Sequence, residues 1–143
     1  LHDDVPAGPA LATCSYQEFD PRMGTAIRTT VGAPRWALSY TLAGHAQLIT
    51  PTRDMLGLDR SPYRKRYEAR LSATGLYRIA TELRSLARGR LEPLVLLCFD
   101  RLGKPGPDSW CHRTMFAVWW EEQTGVEVPE LGAVALPEPP TLF

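Results

Sequence analysis

The chain lacks an excess of charge of either sign. Its 143 residues hold 16 Lys and Arg against 16 Asp and Glu. That balance argues against a protein that grips nucleic acid by bulk electrostatics alone and leaves room only for a local basic patch. Cysteine is scarce and odd in number, three in all. That is too few for the disulfide framework of a small secreted domain, so a reducing, cytoplasmic compartment is expected. No apolar run approaches the roughly 20 residues that cross a bilayer, so no membrane contact is expected. The opening LHDDVPAGPA has no basic-then-apolar leader, although Leu1 in place of Met leaves room for residues before it. There is no internal repeat, no CxxC pair and no interdomain linker of convincing length.

What is present reads as one globular domain. Apolar residues make up 44% and charged residues 22%, an ordinary balance for a chain long enough to bury roughly two-thirds of its unfolded surface. Residues 1–10 read as a flexible arm, 11–131 as the domain and the proline-rich 132–143 as a tail. Strands are predicted over 11–19 and 25–31, separated by the turn signals Asp20-Pro21 and Gly24. Residues 35–60 read as a long surface excursion with short helices. Ser61-Pro62 opens a helix, and a second follows Gly75. In that second helix Leu76, Ile79, Ala80, Leu83 and Ala87 form an apolar stripe that ends at Gly89. The run LVLLCF at 94–99 is apolar on both faces, as a buried parallel strand is. A loop over 100–108 leads to a helix over roughly 110–123, capped by Asp108 or Ser109 and stopped by Gly125. Residues 126–128 read as a last short strand. The fold class is therefore α/β, a single three-layer domain around a mostly parallel sheet, with a right-handed crossover in the 94–128 unit.

Ligands of open parallel sheets sit beyond the carboxyl ends of the strands. Cys98 falls at such an end, and Cys111-His112-Arg113 falls in the first turn of the following helix. Backbone N–H groups at a helix start favour an anion and lower the pKa of a cysteine held there. The candidate catalytic residues are therefore Cys111, His112, Cys98 and Asp100. Arg113, Arg28, Arg35 and Trp110 are candidates to hold an anionic substrate. Against this stands the plain reading that both cysteines pack as small hydrophobes and the charged residues are solvated. Cys98 and Cys111 could form a redox disulfide, although their spacing is no recognised motif. With His112 and Cys14 they supply ligand types suited to zinc, but adjacent Cys111 and His112 make awkward tetrahedral partners, so no metal and no cofactor are expected. Arg113 lies too close to Cys111 for a phosphatase loop.

The stretch LVLLCFDRLGKPGPDSWCHRTMFAVWWEEQTG resembles the C-terminal signature of the domain-of-unknown-function 488 family. That signature is an apolar strand ending in a cysteine and an acid, a short loop, then Cys-His-Arg opening a helix. Cys98, Asp100, Cys111, His112 and Arg113 carry the resemblance, and GTAIRTTVGAPRW is similar to actinobacterial and phage variants. Asp100 stands where glutamate is usual, and the aspartate-arginine arrangement of the first strand region is not found. The resemblance implies an α/β sandwich and no established reaction.

Other groups have weaker signals. Arg22 sits near the second strand. Arg60, Arg64, Lys65, Arg66 and Arg70 interleave with Tyr63 and Tyr67, as a nucleic-acid surface would or as a solvated helix face with aromatic anchors would. His45 is a candidate second histidine. Trp110, Trp119 and Trp120 crowd one helix; at least one reads as core, and another could cap the pocket and stack on a base or sugar. Two functions follow: a cysteine-dependent enzyme acting on a nucleotide, nucleic acid or phosphorylated metabolite, or a non-catalytic module that binds phosphate or nucleic acid. A structural or protein-interaction domain is a third. The sequence does not fix the oligomeric state.

Overall fold

The computed structural model describes residues 8–100, 102 and 110–132. The expectations for the N-terminal arm before residue 8, for most of the 100–108 loop with its Asp108 or Ser109 cap, and for the tail after residue 132 lie outside these residues. The elements run β1 (Leu11–Ser15), β2 (Thr25–Arg28), β3 (Gly44–His45), α1 (Arg60–Thr74), α2 (Leu76–Ala87), β4 (Leu94–Cys98) and α3 (His112–Thr124), with three short 3-10 turns among them. The sheet order is β1-β4-β2-β3 and every pair is parallel. The domain is α/β, with a parallel four-stranded sheet as its middle layer.

β4 lies between β1 and β2, which is why LVLLC is apolar at every position. Leu94, Leu96 and Ile27 face one side and join the buried residues of all three helices, among them Tyr67, Leu71, Ile79, Leu83 and Phe116. Val95, Leu97, Ala12, Cys14 and Ala26 face the other side. There the cover is a layer of loops built on Tyr16 and Phe19, with Met23, Leu38, Tyr40 and Leu42 half-buried against it. At Gly24 the chain passes so close to the strand entry that a Cβ would lie 2.3 Å from the Pro93 carbonyl oxygen, and φ is 149°. Glycine is required there.

Several boundaries differ from the sequence expectation, each for a local reason. β1 stops at Ser15 because the chain turns, the Phe19 N–H donating to the Ser15 carbonyl. β2 stops at Arg28, whose guanidinium folds forward onto the Thr30 and Val31 carbonyls. α1 begins two residues before Pro62, which sits in the first turn where its missing N–H costs nothing. α3 begins at His112, with Cys111 as N-cap. Residues 126–128 form no strand. The chain instead meets β1 two residues later, as a single parallel bridge between Thr13 and Glu130. The Pro129 carbonyl accepts from the Thr13 N–H and the Leu131 N–H donates to the Thr13 carbonyl.

Leu96 is 1% exposed on the central strand. Leu96→Ala is expected to destabilise the fold by about 2–5 kcal/mol, the range for a leucine-sized cavity in a packed core. The shift of the urea midpoint at unchanged slope measures it.

Candidate active site

β1, β2 and β4 end in register, with Ser15 opposite Cys98 and Arg28 opposite Leu97. Beyond this edge lies a cavity of about 470 Å³. Cys98, Cys111 and His112 line it, with Tyr63, Trp110, Leu58, Thr30 and Asp100 among its other walls. Cys98 comes from the last residue of β4 and Cys111 from the N-cap of α3. Their sulfurs are joined in a disulfide. The expectation of a free thiol at Cys111 is therefore replaced by a bonded pair, because the strand end and helix start bring both sulfurs to one point. Cys14, the third cysteine, is a free thiol on the opposite face of the sheet. Burial pushes it up to about 11.

His112 is buried, and its surroundings fix its tautomer. The Thr29 hydroxyl donates its one hydrogen to the Leu97 carbonyl oxygen at 2.7 Å. Its oxygen stands 3.0 Å from Nε2 of His112, so it accepts there and Nε2 carries the ring proton. Nδ1 is left with a lone pair, 3.6 Å from the Cys111 sulfur. The Tyr67 ring packs against the imidazole at 5.8 Å. Desolvation, assisted by the nearby Arg113 charge and opposed by the Thr29 contact, lowers the imidazole pKa to about 4.

Arg113 is 1% exposed. Sequence reasoning placed it against an external anion, but the structure turns it inward. Nε and Nη2 donate to the two carboxylate oxygens of Glu130 at 2.8 and 3.1 Å. Nη1 donates to the Cys98 sulfur at 2.7 Å and to the Asp100 carbonyl oxygen at 2.6 Å. Glu130 also accepts from the Thr13 hydroxyl and the Gly132 N–H. Glu130 and Thr29 are the site residues that sequence reasoning missed. The signal for Glu130 was indirect: a buried arginine needs a carboxylate, and Glu130 is an acid between Pro129 and Leu131.

The remaining candidates scatter. Asp100 has an exposed side chain at the cavity margin, its carboxyl raised by partial desolvation and held back by Arg113. Trp110 lines the cavity and packs on Tyr63 at 5.0 Å. Arg28 shapes the margin through its loop carbonyls, and Arg35 is exposed outside the lining. Among the described lining residues there is no arginine or lysine. His45 bonds to Thr50 outside the cavity. In the basic helix, Arg64 pairs with Glu68, Arg66 with Asp54, and Arg70 donates to two loop carbonyls, while Tyr63 and Tyr67 are core. Cys98, Cys111 and His112 place metal-ligating atoms within 4.8 Å of one another. No helix among the described residues is long and apolar enough to cross a membrane.

Comparison with protein-family models, curated proteins and solved structures returns no match to this chain.

Two outcomes are expected. Glu130→Ala leaves the Arg113 charge buried without its partner and should cost about 3–5 kcal/mol, read by chemical denaturation. In the disulfide form, His112 takes up a proton near pH 6.5 when unfolded but only near 4 when folded. Stability is therefore full above pH 6.5 and declines as pH falls towards 4, with a slope approaching about 1.4 kcal/mol per pH unit between the two. His112→Asn should flatten that part of the stability profile relative to wild type, and equal slopes would remove His112 as its source.

Proposed function

We propose that this chain is a cysteine-dependent enzyme that exchanges electrons with a thiol substrate through the Cys98–Cys111 pair. The observation that carries the reading is the unequal setting of the two sulfurs beside one cavity. Cys98 receives an N–H from the buried Arg113 guanidinium, whereas Cys111 caps the start of α3 beside the neutral His112. A thiolate held by a cation is the better leaving group. A substrate thiolate therefore attacks the Cys111 sulfur. The S–S bond breaks and Cys98 leaves with the electron pair, stabilised by Arg113. A second substrate thiolate attacks the mixed disulfide and releases Cys111. The protein disulfide and a substrate dithiol become a protein dithiol and a substrate disulfide, with two electrons transferred and the two thiol protons conserved.

The substrate is expected to carry an anionic group, seated on the N–H groups that open α3. The described lining adds no cation to that seat, so the cysteine chemistry stands on more side chains than the anion does. For the same reason a purely phosphate-binding module has less support. The likeness of residues 94–125 to the domain-of-unknown-function 488 family belongs to this proposal, with Cys98, Asp100 and Cys111-His112-Arg113 as its shared positions.

Glutathione serves as the probe. After reaction with the disulfide form, peptide mass spectrometry should place the mixed disulfide on Cys111, and Cys98→Ser treated with oxidised glutathione should accumulate the same adduct. An adduct on Cys98, or labelling of both cysteines as slow as that of Cys14, would sink the reading.

A further inference from the structure

Once its disulfide is opened, the same corner of the molecule holds an unassigned donor set. We propose that the reduced protein binds one zinc-class divalent ion through Cys98 Sγ, Cys111 Sγ and His112 Nδ1, with the fourth position open to the cavity. This inference shares the reducible pair with the function above, but it requires no turnover.

From sequence, adjacent Cys111 and His112 make awkward tetrahedral partners, but in the fold their donor atoms converge. Cys111 is extended, with φ −154° and ψ 153°, while His112 begins the helix. The two side chains therefore leave the backbone in different directions and return to one point. Their donor atoms stand 3.6 Å apart. A sulfur at about 2.3 Å and a nitrogen at about 2.05 Å from one tetrahedral zinc are separated by about 3.6 Å. Cys98 Sγ falls within the same 4.8 Å cluster. The Cα atoms of the two cysteines are 7.5 Å apart, beyond the span most disulfides bridge. That gap accommodates two thiolates about 3.8 Å apart on a single ion.

The surroundings complete the chemistry. Thr29 accepts from Nε2 and so presents the Nδ1 lone pair to the sulfurs. A metal-bound histidine uses such an outer partner to fix its ring. Arg113 donates to Cys98 and is itself neutralised by Glu130. Two thiolates and a divalent ion then add no net charge to a buried site. Two sulfurs and one nitrogen with a vacant position make the ligand set of a catalytic zinc rather than a closed structural one. Opening the disulfide takes two electrons and two protons: a dithiol gives both and becomes a disulfide, whereas a phosphine gives the electrons and becomes its oxide, with water supplying the oxygen and the protons. Binding the ion then releases the two thiol protons, so oxidation of the pair expels the ion.

The test uses the full chain, reduced with a trialkylphosphine, desalted without oxygen and titrated with cobalt(II). One equivalent should produce a near-ultraviolet thiolate-to-cobalt charge-transfer band and the visible bands of a tetrahedral ion, and zinc should abolish both. The disulfide form should show neither. Thr29→Val should weaken binding by about 10- to 100-fold, with Thr29→Ser restoring it. Zinc should also slow alkylation of Cys98 and Cys111 in the wild-type chain, a readout that depends on no variant folding. Reduced wild type that binds no cobalt while both thiols alkylate freely would overturn the site and leave the exchange chemistry standing. Equal cobalt bands in the disulfide form would place the ion elsewhere and overturn it too.

Discussion

A guanidinium without exposed surface must be neutralised where it lies, and around Arg113 that requirement organises the whole edge of the sheet. Its fork takes both oxygens of Glu130, its remaining nitrogen takes the Cys98 sulfur and the Asp100 carbonyl, and Glu130 in turn takes Thr13 and Gly132. One ion pair thus ties together the end of β4, the first turn of α3, the middle of β1 and the segment after α3. Replacing such a pair by apolar residues often costs a fold nothing, whereas removing half of it costs several kcal/mol.

The fold was legible where burial is two-sided or periodic. LVLLC announced a central parallel strand, and Leu76, Ile79, Ala80, Leu83 and Ala87 announced a helix stripe, because each pattern reports directly on what the residues pack against. β3 was not legible: two residues are too few to carry a period. The pairing of Glu130 with Thr13 was hidden by Pro129, which breaks the strand signal while its carbonyl still accepts. At the site, the convergence of Cys98 with Cys111 and His112 followed from strand-end and helix-start geometry. The orientation of Arg113 did not, because charge alone does not say whether a guanidinium faces solvent or the interior. Thr29 was invisible for a related reason. A threonine in a β-branched run reads as strand, and its role depends on a carbonyl and an imidazole distant in sequence.

The electrostatics at this edge are those of buried groups beside a cavity. His112 stays neutral because burial outweighs the Thr29 contact. Among the described residues the lining holds no arginine or lysine, and the Arg113 charge beside the Cys98 sulfur is paired with Glu130. Interactions are strong between groups this deeply buried. A single N–H directed at Cys98 therefore distinguishes it chemically from Cys111, although both sit at the same cavity.

The strand order also governs how the chain can be made. β1 and β2 are neighbours in sequence but not in the sheet, for β4 separates them, and β4 begins more than eighty residues after β1 starts. During synthesis, β1 has no strand partner, and β2 has only the two-residue β3, until β4 has left the ribosome. Until then both expose open edges beside apolar faces, the condition in which nascent chains aggregate or engage chaperones. Helices α1 and α2 are complete before β4 emerges, but the sheet face they cover is not. The central strand that makes the site possible is therefore also the step for which assembly must wait.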